Sequence, residues 1–199
     1  MSTRAEAIAA LVKNVQETEH KYLLHGQHPV RNPWMPYQPA DFIGILWECL
    51  PEISFTAARP PMFLDVGCGP GTKMDIAATL FAFSAYGIEA DEAMAGVAQA
   101  RFGDKVTCAD ALSGTRFLYD AFDVIWLYRP FRDPVSEARL EQKVIDGMKP
   151  GAILAGSSWE VNVPALGWQP IVDDCLISPD GHNQIIRGAW QKPRVIASD

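Results

Sequence analysis

No run of apolar residues in the chain approaches the roughly 20 needed to span a bilayer. The start, Met1 to Glu6, leads into an amphipathic pattern rather than the apolar core of a signal peptide, and together these absences point to the cytoplasm. Metal-ligand spacing is missing as well. The four cysteines, Cys49, Cys68, Cys108 and Cys175, form no C-x-x-C, and each sits in an apolar stretch or tight turn, where buried free thiols are expected rather than a disulfide framework or a metal site. His20, His25 and His28 lie close together, but their spacings of five and three place no H-x-x-x-H pair on one helical face, so no metal is expected. Basic charge is scarce. Seventeen Lys and Arg against 24 Asp and Glu leave a formal net charge of -7, which is no platform for a phosphate backbone and disfavours nucleic acid as a partner. Internal repeats and low-complexity segments are absent too.

What remains is 199 residues with 48% hydrophobic content, enough for one globular unit with a sizeable core. It is organised around Met62-Phe63-Leu64-Asp65-Val66-Gly67-Cys68-Gly69-Pro70-Gly71-Thr72. A short apolar run ending in Asp-Val passes into glycines at alternate positions and then into a helical pattern, the signature of a buried strand, a tight turn and a helix start. Glycine adopts the dihedrals of such a turn at little steric cost and leaves the backbone open to a ligand. The dinucleotide fingerprint G-x-G-x-x-G would need its third glycine at position 72, which is Thr72. NAD and FAD therefore fit poorly, and an NAD-dependent oxidoreductase is a minor reading.

The stretch resembles motif I of the class I S-adenosylmethionine (SAM) dependent methyltransferases: an acidic residue, an apolar residue, then G-x-G-x-G. The resemblance implies an α/β, Rossmann-like fold with a seven-stranded, mostly parallel sheet, helices on both faces and an antiparallel C-terminal hairpin. Residues 1–60 would then be an N-terminal helical extension or lid packed on the core, and 61–199 the SAM-binding domain. It also implies that Asp65, Gly67, Cys68, Gly69 and Gly71 lie against the amino-acid and ribose part of SAM.

Downstream, Ala85 to Glu89 reads as a second strand after a helix from about Thr72 to Phe83. An acidic residue about twenty positions past the glycine turn puts a carboxylate where two ribose hydroxyls can donate to it, so Glu89 is the leading candidate for a nucleoside contact, with Ala90 beside it. Asp91 can cap the next helix, and the resemblance places Met94 near the adenine. The third strand, Lys105 to Cys108, is followed by Asp110 and Ala111. By resemblance, Asp110 accepts from the adenine amino group.

Phe122 to Tyr128 is nearly continuously apolar, as a central parallel strand should be. It resembles motif IV, whose exit holds the acceptor, with Leu127 added to the cofactor set and Tyr128 and Arg129 to the acceptor set. Amino-methylating relatives carry Asn or Asp, Pro-Pro and an aromatic there. This chain has Tyr128-Arg129-Pro130-Phe131-Arg132, so Arg129 replaces the amide or acid. Arg129 and Arg132 are either forks for a substrate carboxylate or phosphate, or solvated loop charges.

At the N-terminus, Thr3-x-x-Glu6 signals a helix start, and Ala7, Ile8, Leu11, Val12, Val15, Tyr22 and Leu23 recur on one face. Four prolines between Gly26 and Pro39 break any helix, and Pro39 suits the start of a second one that stops at Pro51. Tyr37-Gln38-Pro39 resembles segments that fold over SAM in some subfamilies, and packing against the sheet is the competing reading. At the other end, Val135 to Met148 reads as a helix closed by Lys149-Pro150-Gly151, and a turn at Ser178-Pro179-Asp180-Gly181 joins two antiparallel strands.

These features lead to a SAM-dependent methyltransferase acting on a small molecule or protein by in-line displacement, with Tyr37, His25, His28 and Tyr128 as candidate bases. The alternative from another class is an inactive SAM-binding interaction protein, motivated by Arg129. A nucleic-acid methyltransferase is disfavoured by the charge.

Overall fold

The computed structural model describes residues 4–22, 37–53, 59–113, 118–157, 161, 163–177 and 184–194. Seven strands form one sheet in the order β3-β2-β1-β4-β5-β7-β6. The first five are β1 (Met62–Val66), β2 (Ser84–Glu89), β3 (Val106–Cys108), β4 (Val124–Tyr128) and β5 (Ile153–Ser157), and they run parallel. The closing pair is β6 (Gln169–Ile177) and β7 (Gln184–Gln191), with β7 antiparallel to both β5 and β6. The classical dinucleotide order runs 3-2-1-4-5-6 without such an inserted antiparallel strand. The sheet is therefore that of the class I methyltransferases, as the resemblance implied.

Among the described residues five α-helices accompany it: α1 (Arg4–Tyr22), α2 (Pro39–Cys49), α3 (Thr72–Phe81), α4 (Glu92–Phe102) and α5 (Pro134–Gly147). Strand alternation sorts their packing, because side chains at i and i+2 share a face. Phe63, Val124 and Trp126 join α2, α3 and α4 in one apolar cluster, through Phe42, Leu46, Ile76 and Ala98. Leu64, Ile125, Leu127 and Leu154 form the other with Leu140, Val144 and Ile145 of α5. Each full burial of such an aliphatic side chain is worth about 1.5–3 kcal/mol, so both faces are held by their own core.

Local chemistry sets the boundaries. The helix after the glycine turn stops at Phe81, because Ala82 turns left-handed at φ 56° and the Phe83 N–H returns to the Ala77 carbonyl at 3.2 Å. The fourth strand starts two residues later than its apolar run, since Asp123 serves as an anchor, accepting from Met62 N at 2.7 Å and Lys149 Nζ at 2.6 Å. Asp91 and Asp133 cap α4 and α5, accepting from Met94 N at 3.0 Å and Ser136 N at 2.9 Å.

Three expectations change or fall away. Cys49 and Cys68 are buried free thiols, but Cys108 is exposed, because β3 is an edge strand whose last residue has nothing packed over it. On α1, Ala7 and Ile8 are exposed while Val15 and Glu19 are buried, so only the later turns meet the body. Thr3, Leu23, His25, His28, Trp159, Cys175 as a side chain and the turn at Ser178 to Gly181 lie outside the described residues.

Candidate cofactor and acceptor site

The carboxyl ends of β1, β2, β3 and β4 converge on one edge of the sheet. At the centre is the glycine turn. Gly67, Gly69 and Gly71 have φ of 80°, 54° and 83°, the left-handed region in which other residues are strained. A Cβ on Gly71 would also lie 3.0 Å from the Phe102 ring. The Gly67 and Cys68 N–H groups donate to the Ile88 carbonyl at 2.8 and 3.0 Å, tying the turn to β2.

Glu89 ends β2 as anticipated, and its carboxylate does structural work besides. Its Oε2 accepts from Gly69 N at 2.7 Å, and its Oε1 accepts from Ala90 N and Asp91 N at 2.7 and 2.8 Å. A carboxylate offers about four lone-pair sites. Gly69, Ala90 and Asp91 therefore orient the group while leaving acceptor capacity on Oε2. Met94 is buried in the first turn of α4, and Ala111 is buried after β3 with its carbonyl held by Lys143 Nζ at 2.7 Å. Asp110 uses one oxygen to accept from Leu112 N at 2.9 Å, which shapes the loop after β3. Leu127 packs wholly into the α5 core, so only its backbone faces the site.

Asp65 is the electrostatic singularity. Its side chain is 1% exposed, and Oδ2 has no hydrogen-bond partner among the described residues. Burial pushes its carboxyl up to about 7, offset partly by Lys73 and reinforced by Glu89 and Glu19. Lys73 is itself buried at the start of α3. Glu19 reaches across from α1, accepting from Thr72 Oγ1 at 3.0 Å, and its carboxyl is raised by desolvation against the pull of Lys73. The sequence reading passed over Glu19 and Lys73. The signal for Glu19 was present, since it lies four residues beyond Val15 on the face that α1 buries. Burial pushes the Cys68 thiol well above its usual range, so it fills space in the turn as a neutral group.

The acceptor side is aromatic. Tyr37 inserts edge-on between Trp126 and Tyr128, 4.9 Å from each ring centroid. Phe42 meets Trp126 edge-on at 4.8 Å. Trp126 is core, as its mid-strand position suggested, although its indole Nε1 has no partner among the described residues. Tyr128 is half-buried, and desolvation raises its phenol while Arg129 pulls it down. Arg129 is exposed and Phe131 is buried, with the Phe131 N–H bound to Glu137 Oε2 at 2.9 Å. Glu141, one turn on, holds Val161 N at 2.7 Å after β5. Both α5 glutamates are nearly inaccessible, and neither was singled out from the sequence.

Three positive-φ glycines thus follow β1, and a carboxylate lies at or near the carboxyl end of each of β1, β2 and β3: Asp65, Glu89 and Asp110. Residues 63–151 match the family described as "Methyltransferase domain". Similar solved structures include an RNA methyltransferase from Salinibacter ruber in complex with S-adenosyl-L-homocysteine, at 17% identity and TM-score 0.56, covering 83% of this chain and 98% of that one. The N-methyltransferase NodS from Bradyrhizobium japonicum, also with S-adenosyl-L-homocysteine, aligns at 14% identity and TM-score 0.58 over 91% of this chain and 100% of that one. The [4+2]-cyclase SpnF aligns at 14% identity and TM-score 0.56, covering 94% and 95%. These likenesses describe the fold. Among proteins of curated function, none matches the chain in sequence.

Proposed function

We propose that the protein transfers the methyl group of SAM to a small-molecule acceptor, binding the cofactor through Asp65, Gly67, Cys68, Gly69, Gly71, Glu89, Ala90, Met94, Asp110, Ala111 and Leu127. The residues suit the cofactor chemically. SAM carries an ammonium and a sulfonium, and the site supplies a buried carboxylate with an unused oxygen, Asp65 Oδ2. That oxygen is the observation that carries the assignment, because burying an unsatisfied carboxyl costs about 1–3 kcal/mol or more unless a ligand repays it. Glu89 is oriented by backbone N–H groups to accept from the ribose hydroxyls.

The cofactor supplies an activated methyl on a good leaving group, so the task of the protein is alignment and exclusion of water. Tyr37 and Tyr128 furnish an apolar wall on the acceptor side, with Trp126 packed behind Tyr37 as core. Tyr128 keeps its proton at neutral pH, since burial raises its phenol, and it serves as a positioning donor rather than a base. Residues 1–60 act as the cover and 61–199 as the catalytic unit, with the Glu19 to Thr72 hydrogen bond joining them. The small-molecule reading draws on the acidic chain, which offers no basic platform for a nucleic acid, and on the aromatic wall. No helix among the described residues is long and apolar enough to cross a membrane, and we assign the protein to the cytoplasm.

Calorimetric titration with SAM, S-adenosylhomocysteine and NAD tests the cofactor. Micromolar binding of the first two without NAD is expected, and failure of both SAM compounds to bind would sink the assignment. Transfer of labelled methyl groups to the small-molecule fraction of a cell extract tests the acceptor class. Label found in protein or nucleic acid instead would overturn it.

A further inference from the structure

Among the described residues, two that are not glycine have a left-handed backbone, Ala82 at φ 56° and Arg129 at φ 42°. Ala82 ends a helix, where that conformation is ordinary. Arg129 has no such excuse. It directly follows Tyr128 at the exit of β4, beside the glycine turn: a Cβ on Gly67 would sit 3.6 Å from the Pro130 Cβ. A left-handed position normally goes to Gly, Asn or Asp, and an L side chain with a Cβ costs roughly 1–2 kcal/mol there.

The strain persists because the loop is held on both sides. Upstream is the fully paired β4, and downstream the Phe131 N–H is bound to the buried Glu137 at 2.9 Å while Asp133 caps α5 at 2.9 Å. Strain over-determined in this way is typical of functional positions. The guanidinium lies within electrostatic reach of the Tyr128 hydroxyl, so cation and phenol share one end of the site. Charge divides accordingly. Glu19, Asp65 and Glu89 gather on the cofactor side, and Arg129 and Arg132 stand at the β4 exit.

We propose that Arg129 is the specificity-determining residue for an anionic acceptor, a small molecule whose carboxylate or phosphate is gripped by the guanidinium fork while its methylated atom faces the cofactor side. A planar fork pairs with either anion through two parallel hydrogen bonds. The inference rests on the methyltransferase reading. It accounts for an arginine where amino-methylating relatives place an amide or acid, since the fork binds the distal anion and leaves the reacting atom to the loop backbone and the aromatic wall.

The test is titration of the S-adenosylhomocysteine-loaded protein with inorganic phosphate and, separately, benzoate, followed through the amide and guanidinium NMR signals of the β4 exit. Saturable binding of at least one anion is expected, weakened tenfold or more in Arg129→Gln, with S-adenosylhomocysteine affinity within twofold of wild type. Phosphate alone binding identifies a phosphate ester, and benzoate alone a carboxylate. Arg132→Gln should bind as wild type does. Absence of anion binding, or equal binding by Arg129→Gln, would overturn the proposal and leave the cofactor reading standing. A larger loss in Arg132→Gln than in Arg129→Gln would overturn it too. Failure of S-adenosylhomocysteine itself to bind would remove both.

Discussion

On the β1 to β3 side the site offers backbone groups and carboxylates, whereas on the β4 side it offers aromatic rings and a guanidinium. The centre of the first side is one glycine turn and an acid twenty residues on that bonds Gly69, recognisable from a single stretch of chain although Glu19 reaches it from α1. The second draws Tyr37, Tyr128 and Glu137 from three separate segments. A group that must fit a ligand shared by a whole family can be built from backbone, whose geometry a few glycines dictate. A group that must fit one acceptor has to be built from side chains, and those are brought together by tertiary packing.

The contrast can be broken most severely at the turn. Gly71→Val forces a branched residue to φ 83° and against the Phe102 ring, and should cost about 2–4 kcal/mol of stability together with measurable cofactor binding. Denaturant unfolding with and without S-adenosylhomocysteine reads both; an unchanged midpoint would mean the turn tolerates side chains and is no ligand cradle. Next comes Glu89→Ala, which removes the proposed ribose acceptor and the partner of three N–H groups. Loss of about 1.5–3 kcal/mol of SAM affinity is expected by calorimetry.

Asp65→Asn sharpens the comparison because stability and binding should move in opposite directions. The Asp65 carboxyl is raised to about 7 from 3.8. Between those values the folded protein keeps a proton that the unfolded chain has released, so cofactor-free stability falls as pH rises through that window. Wild type should therefore melt at higher temperature at pH 5.5 than at pH 8. In Asp65→Asn the slope should shrink to what Glu19 and Asp75, raised in the same direction, leave behind. Its SAM affinity should drop about tenfold or more at pH 8, the scale of one charged hydrogen bond. An identical melting slope would show that Asp65 is ionised in the fold. The smallest effect belongs to the other side of the site: Arg129→Gly relieves a left-handed backbone at φ 42° and should stabilise the protein by about 1 kcal/mol. Destabilisation there would mean the side chain is structural.

The same division explains what could be read from the sequence. The parallel strands, the glycine turn and the place of Glu89 at the end of β2 were legible because short apolar runs, alternate glycines and an acid at a strand end are local signals. Cys108 was misjudged, since its apolar neighbours say nothing about whether the strand lies at an edge. Glu137 and Glu141 were not singled out from the sequence and are buried holding loop backbone. Their partners lie in segments before and after the helix, and nothing in a single sequence ties a glutamate to an N–H it will meet only after folding. Arg129 was visible as a departure from motif IV, but its backbone conformation was not.

The antiparallel strand between β5 and β6 carries a consequence for how the protein is made. β6 leaves the ribosome before β7, yet its place in the sheet is reached only through β7. Until the seventh strand is synthesised, the sixth has no native partner to join and the edge of β5 stands open, so the native sheet stops at five strands. A nonsense codon shortly before Gln184 would thus strip the sheet of two strands while deleting only one. The nascent chain must carry a nine-residue strand, Gln169–Ile177, with its hydrogen-bonding groups unpaired during that interval.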